Sequence, residues 1–207
     1  EKSMRRYVMY LVSSIIAFNI GFSLAYSEVV VQEVEPSCTM CPSTYVSAEE
    51  LTEYTFVGRL SGAVDQQVRS LDIGKTNVQI AVAHRGALEE RRGRVAEHDL
   101  VTEVYVVMSG SGTILTGPDL VNKVRRPPDN RAVQFLNGPG NNAADVRNGA
   151  THQLKEGDVF VIPAGTGHEF TKIDDHITYM MVRVDPDKVV PLMDKAASQA
   201  YLSERRQ

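Results

Sequence analysis

Gly157-Asp158-Val159-Phe160-Val161-Ile162-Pro163-Ala164-Gly165-Thr166-Gly167-His168 is the stretch on which the fold turns. Phe160-Val161-Ile162 is a continuous apolar run that stops at a proline, and Pro163-Ala164-Gly165-Thr166-Gly167 is turn chemistry. The pattern G-x5-P-x-G-x2-H therefore reads as a strand, a tight turn and one imidazole at the head of Glu169-Phe170-Thr171. From that place a side chain can be aimed into a barrel.

Upstream, His98-Asp99-Leu100-Val101-Thr102-Glu103 leads into Glu103-Val104-Tyr105-Val106-Val107-Met108, a β-branched and aromatic run closed by Ser109-Gly110-Ser111-Gly112 and followed by Thr113-Ile114-Leu115-Thr116-Gly117. This is a hairpin signal. His98 and Glu103 are five residues apart, so on one unbroken strand they would face opposite sides. Both point inward only if the chain turns between them, and Asp99-Leu100-Val101-Thr102 is short and polar enough to be that turn. Two imidazoles and one carboxylate meeting from different strand ends, His98, His168 and Glu103, form a ligand set for a divalent transition metal such as Fe2+, Mn2+ or Zn2+. The plainer alternative makes His98 a surface turn residue and His168 a satisfied histidine near a barrel mouth.

Together the two stretches, H-x4-E-x6-G ending at Gly110 and G-x5-P-x-G-x2-H, resemble the two signature motifs of the cupin superfamily over residues 78–184. The resemblance implies an all-β double-stranded β-helix (a cupin or jelly-roll barrel), often paired into homodimers, with a metal at one end and a small molecule bound over it. Two positions depart from the pattern: Ala96 stands where a further histidine is usual, and Lys172 where an asparagine is usual. What remains is a 2-His-1-carboxylate set with open positions, the arrangement of non-haem Fe(II) oxygen chemistry, although a barrel that has abandoned metal would show the same loss. His84, near the end of the run Val78-Gln79-Ile80-Ala81-Val82-Ala83-His84, could restore a further ligand. Within this frame Tyr105 and Tyr179 are the candidate catalytic hydrogen-bond or proton donors, and Arg183 and Met181 the candidate ligand contacts; core packing is the alternative for the two tyrosines and Met181, and Arg183 either points outward or is a buried partner for an anionic substrate. The family hosts dioxygenases, isomerases, decarboxylases, sugar-binding and storage proteins, so the fold does not select a reaction.

The remaining chain sets the context. At 207 residues, 43% hydrophobic and 23% charged, it is long enough for one domain with a full core. A net charge of −4 and the lack of a basic patch interleaved with aromatics argue against nucleic acid as a partner. Residues 1–27 have the layout of a signal peptide: Lys2, Arg5 and Arg6 precede an uncharged run over 7–25, followed by small-x-small cleavage candidates. That predicts a periplasmic or secreted protein. The run is also about the length that spans a bilayer, so an uncleaved anchor, the one route to membrane contact, is the competing reading. Cys38 and Cys41 are the only cysteines, and in an exported chain a C-x2-C pair closes on itself as a disulfide.

Residues 28–70 read as an arm and a helix that starts at the capping box Ser47-Ala48-Glu49-Glu50 and runs over 48–59. Residues 64–68 read as helical or irregular, and the barrel is expected over 71–185, opening with Ser70-Leu71-Asp72-Ile73-Gly74. Residues 85–94 carry Glu89, Glu90, Arg91, Arg92 and Arg94 and read as a solvated connection, or else as a rim that selects an anionic ligand. Between the motifs, residues 117–157 are rich in Gly, Pro and Asn and predict a long loop without a core, with Arg125, Arg126 and Arg131 its groups of interest. Ile177-Thr178-Tyr179-Met180-Met181-Val182-Arg183-Val184 is the closing strand, and residues 186–207 predict a C-terminal helix. Two functions follow: a metalloenzyme acting on a small organic molecule, of dioxygenase-type oxidoreductase or isomerase kind, or a periplasmic module that binds a sugar or organic acid without turnover.

Overall fold

The computed structural model describes residues 34–62 and 64–205, so the expected signal segment at 1–27 lies outside them. Eleven strands and three helices are described. Helix α1 is Ala48–Ser61; strands β1 and β2 are Asp65–Asp72 and Asn77–Leu88; β3 is Val95–His98 and β4 is Thr102–Gly117. The short pieces β5 (Leu120–Val121), β6 (Val124–Arg125), α2 (Arg131–Phe135), β7 (Gly140–Ala143) and β8 (Asp145–Val146) follow. Strands β9 (Ala150–Lys155), β10 (Val159–Ile162) and β11 (Gly167–Asp185) and helix α3 (Lys195–Arg205) complete the chain.

Two long strands, β4 and β11, build the barrel by belonging to both of its sheets. Their outer-numbered halves pair with each other at Tyr179↔Val107 and Arg183↔Glu103, between β2 and β10, in the order β1-β2-β11-β4-β10. The other halves pair at His168↔Thr116 and Phe170↔Ile114, between β9 and β3, in the order β9-β4-β11-β3-β7-β6. Register shifts between Phe170 and Ile177 bend β11 from one sheet into the other, as bulges do at barrel corners. The result is the double-stranded β-helix of antiparallel strands expected from the two motifs.

Alternation decides what lies between the sheets. Ala81, Ala83, Tyr105, Val107, Ile177, Tyr179 and Met181 face inward from one sheet and Ile114, Leu154 and Phe170 from the other, forming one buried cluster. On the outside, Leu51, Tyr54 and Val57 of α1 bury one face of that helix against Val68, Val82 and Leu202. Buried Arg69 ties these layers: it donates to Glu50 Oε1 at 2.6 Å, to Ser198 Oγ at 2.6 Å and to the Val68 carbonyl at 2.7 Å. Ser47 caps α1 by accepting from the Glu50 amide at 3.2 Å, as the capping box requires.

Gly110, the last residue of the upstream motif, has φ +74°, and a Cβ placed there would stand 2.0 Å from the His176 carbonyl oxygen. The backbone of β11 approaches so closely at the corner that only glycine fits. Gly110→Ala is expected to lower stability by about 1–3 kcal/mol, read as a shift in the urea midpoint at unchanged slope; an unshifted midpoint would remove this account of the motif glycine.

Four expectations need correcting. Residues 65–68 are strand, because Asp65 to Gln67 pair with Ala83 to Ala81. The segment from Arg85 to Leu88 is not loop, since β2 runs on beside Ile177 and Ile173 of β11. Residues 117–157 are not structureless: β7 pairs with β3, and Val95, Ala143 and Val146 make a small core of their own. The C-terminal helix starts only at Lys195; before it Pro191 interrupts the chain, and Met193 bonds Ser70 at the edge of β1 through paired amide–carbonyl contacts of 2.9 and 3.0 Å. Cys38 and Cys41 are joined as a disulfide. Among the described residues no helix is long and apolar enough to cross a membrane.

Candidate metal centre

Each side of the centre comes from the end of a strand. His98 closes β3, Glu103 stands at the start of β4 and His168 at the start of β11. The chain does turn between His98 and Glu103, and this turn is stitched to the one before His168. The Gly165 amide donates to the His98 carbonyl at 2.7 Å, the Asp99 amide to the Pro139 carbonyl at 2.9 Å, and the Ala164 amide to Thr102 Oγ1 at 3.1 Å. Bonds from the turn after His98 to the turn before His168 and to Pro139 thus hold the strand ends that carry the imidazoles.

The three side chains converge, with ligand atoms within 4.8 Å of one another and all three residues buried. Glu103 Oε2 lies 3.7 Å from His98 Nε2 and 3.5 Å from His168 Nε2, and the two rings are 5.2 Å apart, centroid to centroid. Ligands at about 2.0–2.2 Å from one ion stand about 3.0 Å apart at a right angle and about 3.4 Å apart at the tetrahedral angle; the separations of 3.5 and 3.7 Å are slightly wider, so small side-chain shifts would close the set on an ion.

Supporting contacts differ around the set. His168 Nδ1 lies 3.2 Å from the Thr166 carbonyl, which can only accept. The proton is therefore on Nδ1, and Nε2 has its lone pair free for a metal, as metal-ligating histidines are usually arranged. His98 Nδ1 lies 3.3 Å from Arg126 Nη1, which can only donate, so the neutral ring carries its proton on Nε2 and aims it at Glu103. Holding an ion there requires that proton to leave Nε2 and Arg126 to give way. Glu103 Oε1 accepts from Asn137 Nδ2 at 2.9 Å and Arg183 Nε at 2.8 Å, and Oε2 accepts from the Tyr105 hydroxyl at 2.9 Å. The donor set fits a divalent ion, with one adjustment at Arg126.

Burial also sets protonation. It pushes the His98 imidazole down to about 3, reinforced by His168, Arg126 and Arg183 over the opposing pull of Glu103. Burial lowers His168 as well, helped by Arg85 and Arg126. For Glu103 burial acts upward, but the Arg183 guanidinium and the His98 and His168 rings together outweigh it and hold the carboxyl well below its usual range. An imidazole freed by unfolding titrates near 6.5. The unfolded chain therefore takes up protons below that pH while folded His98 does not until about 3, and stability fully present above the unfolded value falls with acidification. The cost is about 1.4 kcal/mol per pH unit for each such group. Metal-free protein should lose melting temperature steeply between about pH 6.5 and pH 5, and His98→Asn should flatten that profile; parallel profiles would sink the assignment.

Beside this set lies a cavity of about 490 Å3 whose wall includes Ala96, Tyr105, His168 and Phe170. Ala96 pairs with His168 across β3 and β11, so the position that departs from the motif leaves that side of the centre open. Tyr105 lines the cavity and stacks on Tyr179 at 4.4 Å, and burial raises the pKa of both phenols, so both stay protonated. Tyr179 is 1% exposed, packs behind Tyr105 and Phe170, and accepts from Arg85 Nε at 3.0 Å.

Three candidate residues are placed elsewhere. His84 does not join the centre: it points to the outer face, where Nδ1 lies 2.8 Å from Thr178 Oγ1 and the ring stacks on His176 at 5.7 Å. On β2 it alternates with Ala83 and Arg85, which face in. Arg183 is not a ligand contact, because it is fully buried and its donors are engaged by Glu103, Gln67 and Asp65. Met181 is likewise buried, with Sδ 3.4 Å from Arg183 Nη2. Conversely, Asn137 and Arg85 were not singled out by the sequence. Asn137 sits in a Gly/Pro stretch where an asparagine ordinarily signals a turn, and Arg85 was read as part of a solvated connection.

The family model for the AraC-like ligand binding domain matches residues 146–206, from β8 through α3. No curated protein sequence matches this chain significantly. Among solved structures it is similar to a Bacillus halodurans protein at 14% identity, covering 79% of this chain and 98% of that one, with a TM-score of 0.39. It is also similar to an RmlC-like cupin with a double-stranded β-helix fold from Methanocaldococcus jannaschii (16% identity, 60% and 85% covered, TM-score 0.33). A cupin protein from Bacteroides fragilis is a third (15% identity, 56% and 72% covered, TM-score 0.32). Both signature motifs sit at strand ends of the double-stranded β-helix, and the second, at residues 157–168, falls within the residues that the family model matches.

Proposed function

We propose that His98, Glu103 and His168 hold one divalent transition metal ion and that the barrel binds, and acts on, a small organic molecule entering through the adjacent cavity. The observation that carries this reading is the convergence of three buried ligand atoms within 4.8 Å beside an open cavity. When bound, the ion would supply Lewis-acid polarisation of a substrate oxygen and, with open positions on a 2-His-1-carboxylate set, suit dioxygenase-type oxidation. The chain supplies the rest. Arg183 and Asn137 fix the Glu103 carboxylate, the Thr166 carbonyl fixes the tautomer of His168, and Tyr105 keeps its proton on Glu103 Oε2. Phe170 and Leu88 make part of the cavity wall apolar and limit water.

A second reading is binding without turnover. It is favoured by the engagement of the wall's phenol and carboxylate: the Tyr105 proton is bonded to Glu103, and Glu169 accepts from Arg91 Nε and from the Arg94 amide, each at 2.7 Å. The description of the matched family as ligand-binding points the same way. Metal analysis of purified protein after reconstitution tests the first element, with about one equivalent expected and less than about a tenth overturning it. Oxygen uptake with phenolic, diketone and sugar compounds then separates turnover from binding. Export to the periplasm or beyond rests on the layout of residues 1–27, and the Cys38–Cys41 disulfide suits that oxidising setting. Pairing into a homodimer rests on the family resemblance alone.

A further inference from the structure

The cavity wall carries a cation whose terminal nitrogens are unbonded among the described residues. Arg85 lies on the inward row of β2 with Ala81 and Ala83, opposite Ile177. Its Nε donates to the Tyr179 hydroxyl at 3.0 Å, and its guanidinium carbon lies 5.4 Å from the centre of the Phe170 ring. Among the described residues no carboxylate pairs with it, and its two Nη groups have no hydrogen-bond acceptor. Arg69 and Arg183, the buried arginines of the structural layers, each have a carboxylate at hand. A guanidinium withdrawn from bulk water is costly unless something replaces its solvation. Arg85, partly exposed at the cavity, has no carboxylate bonded to it among the described residues and faces a space large enough for a ligand.

The surroundings share the same sign. Arg92 and Arg94 also line the cavity, and neither has an ion-pair partner among the described residues. Glu169 is the one carboxylate of the wall, and Arg91 and the Arg94 amide occupy it. In a chain with net charge −4, this cavity therefore shows a local cationic excess. Its other walls are apolar: Val64, Leu88, Phe170 and Ile173.

We infer that the cavity takes a small organic carboxylate with an apolar body, anchored by the free Nη edge of Arg85 and packed against Phe170, Ile173 and Leu88. With Nε engaged by Tyr179, the two terminal nitrogens present parallel N–H groups that match the two oxygens of a carboxylate. Apolar neighbours suit a hydrocarbon body better than a heavily hydrated group such as a phosphate dianion. This rests on the proposed function only in sharing its cavity; the anchor itself needs no metal.

Benzoate and its neutral isostere benzamide are the probes, titrated into full-length protein stripped with EDTA and, separately, loaded with Zn2+, with binding followed by calorimetry. In stripped protein benzoate is expected to bind about ten-fold or more tightly than benzamide, the range for one charge-assisted pair. Arg85→Gln should reduce that preference to below about two-fold, while Arg147→Gln, exposed beside Asp119 and outside the cavity lining, keeps it. Arg85→Lys, which keeps the charge and the fold but loses the fork, should fall between and covers the case of an unstable glutamine variant. Equal binding of the two probes, no benzoate binding, or a preference untouched by the Arg85 variants overturns the anchor. A benzoate preference seen only with Zn2+ belongs to the ion, and so overturns the anchor while leaving the metal reading standing. A preference that persists in protein unable to take up metal keeps the anchor and removes the metal reading.

Discussion

His168→Ala is expected to empty the metal centre, with bound divalent ion falling from about one equivalent to less than about a tenth after reconstitution. His168 is the one ligand with its metal-binding lone pair already free, because the Thr166 carbonyl holds the ring proton at Nδ1. The two ligands left are compromised. His98 faces the Arg126 guanidinium at 3.3 Å with the wrong nitrogen bare, and Glu103 is already bonded to Arg183, Asn137 and Tyr105. His84→Ala, on the outer face beside Thr178, should retain the wild-type content. Elemental analysis of the three proteins decides it: equal metal in the His168 variant and wild type would place the ion elsewhere.

Arg183→Met should be the most destabilising single change in the barrel, costing about 3–5 kcal/mol in urea unfolding. Arg183 is 0% exposed and lies between Glu103 and Asp65, with Gln67 accepting a third bond at 3.0 Å. Removing the cation leaves two carboxylates without their partner in the interior, and Glu103 then loses the neighbour that keeps it ionised. Glu103→Gln in the same chain removes one of those stranded charges. The double variant should therefore be more stable than Arg183→Met alone, and the coupling between the two sites is read from the cycle. A loss below about 1 kcal/mol for Arg183→Met would mean that water or movement solvates these groups. In that case Arg183 would not be the residue that orients Glu103.

The two predictions separate ligand from support. Metal content should follow His168, whereas folding stability should follow Arg183, and each variant serves as a control for the other. The same division explains why Arg183 cannot also recruit a ligand. Its donors are engaged within the wall of the barrel, while Arg85, on the neighbouring strand, keeps its terminal donors free.

How much of this was legible from residues alone varies along the chain. The strand and turn around His168 could be read directly, because an apolar run ending at Pro163 and followed by Gly165 and Gly167 has few other conformations open to it. The turn between His98 and Glu103 followed from their odd spacing. Length of strand was much harder to read: Arg85 to Leu88 are polar or small where a strand edge meets a cavity, and residues 65–68, Asp-Gln-Gln-Val, lack the expected alternation because the polar ones are buried against partners. The stretch from 117 to 157 hid its short strands for a similar reason, since their pairing partners lie far away on β3 and in one another.

Local patterning determined the barrel, the positions of His98, Glu103 and His168 and the capped helix at Ser47, since each depends on neighbours only a few residues away. Tertiary structure alone decided the rest: that His84 bonds Thr178 and stacks on His176, that Arg183 belongs to Glu103 and Asp65, that Asn137 steadies the carboxylate, and that Arg85 has only Tyr179 as a hydrogen-bond partner among the described residues. Such facts concern which groups meet across strands, and the partner of a buried charge is set by how two distant segments pack, a matter on which no run of adjacent residues carries information.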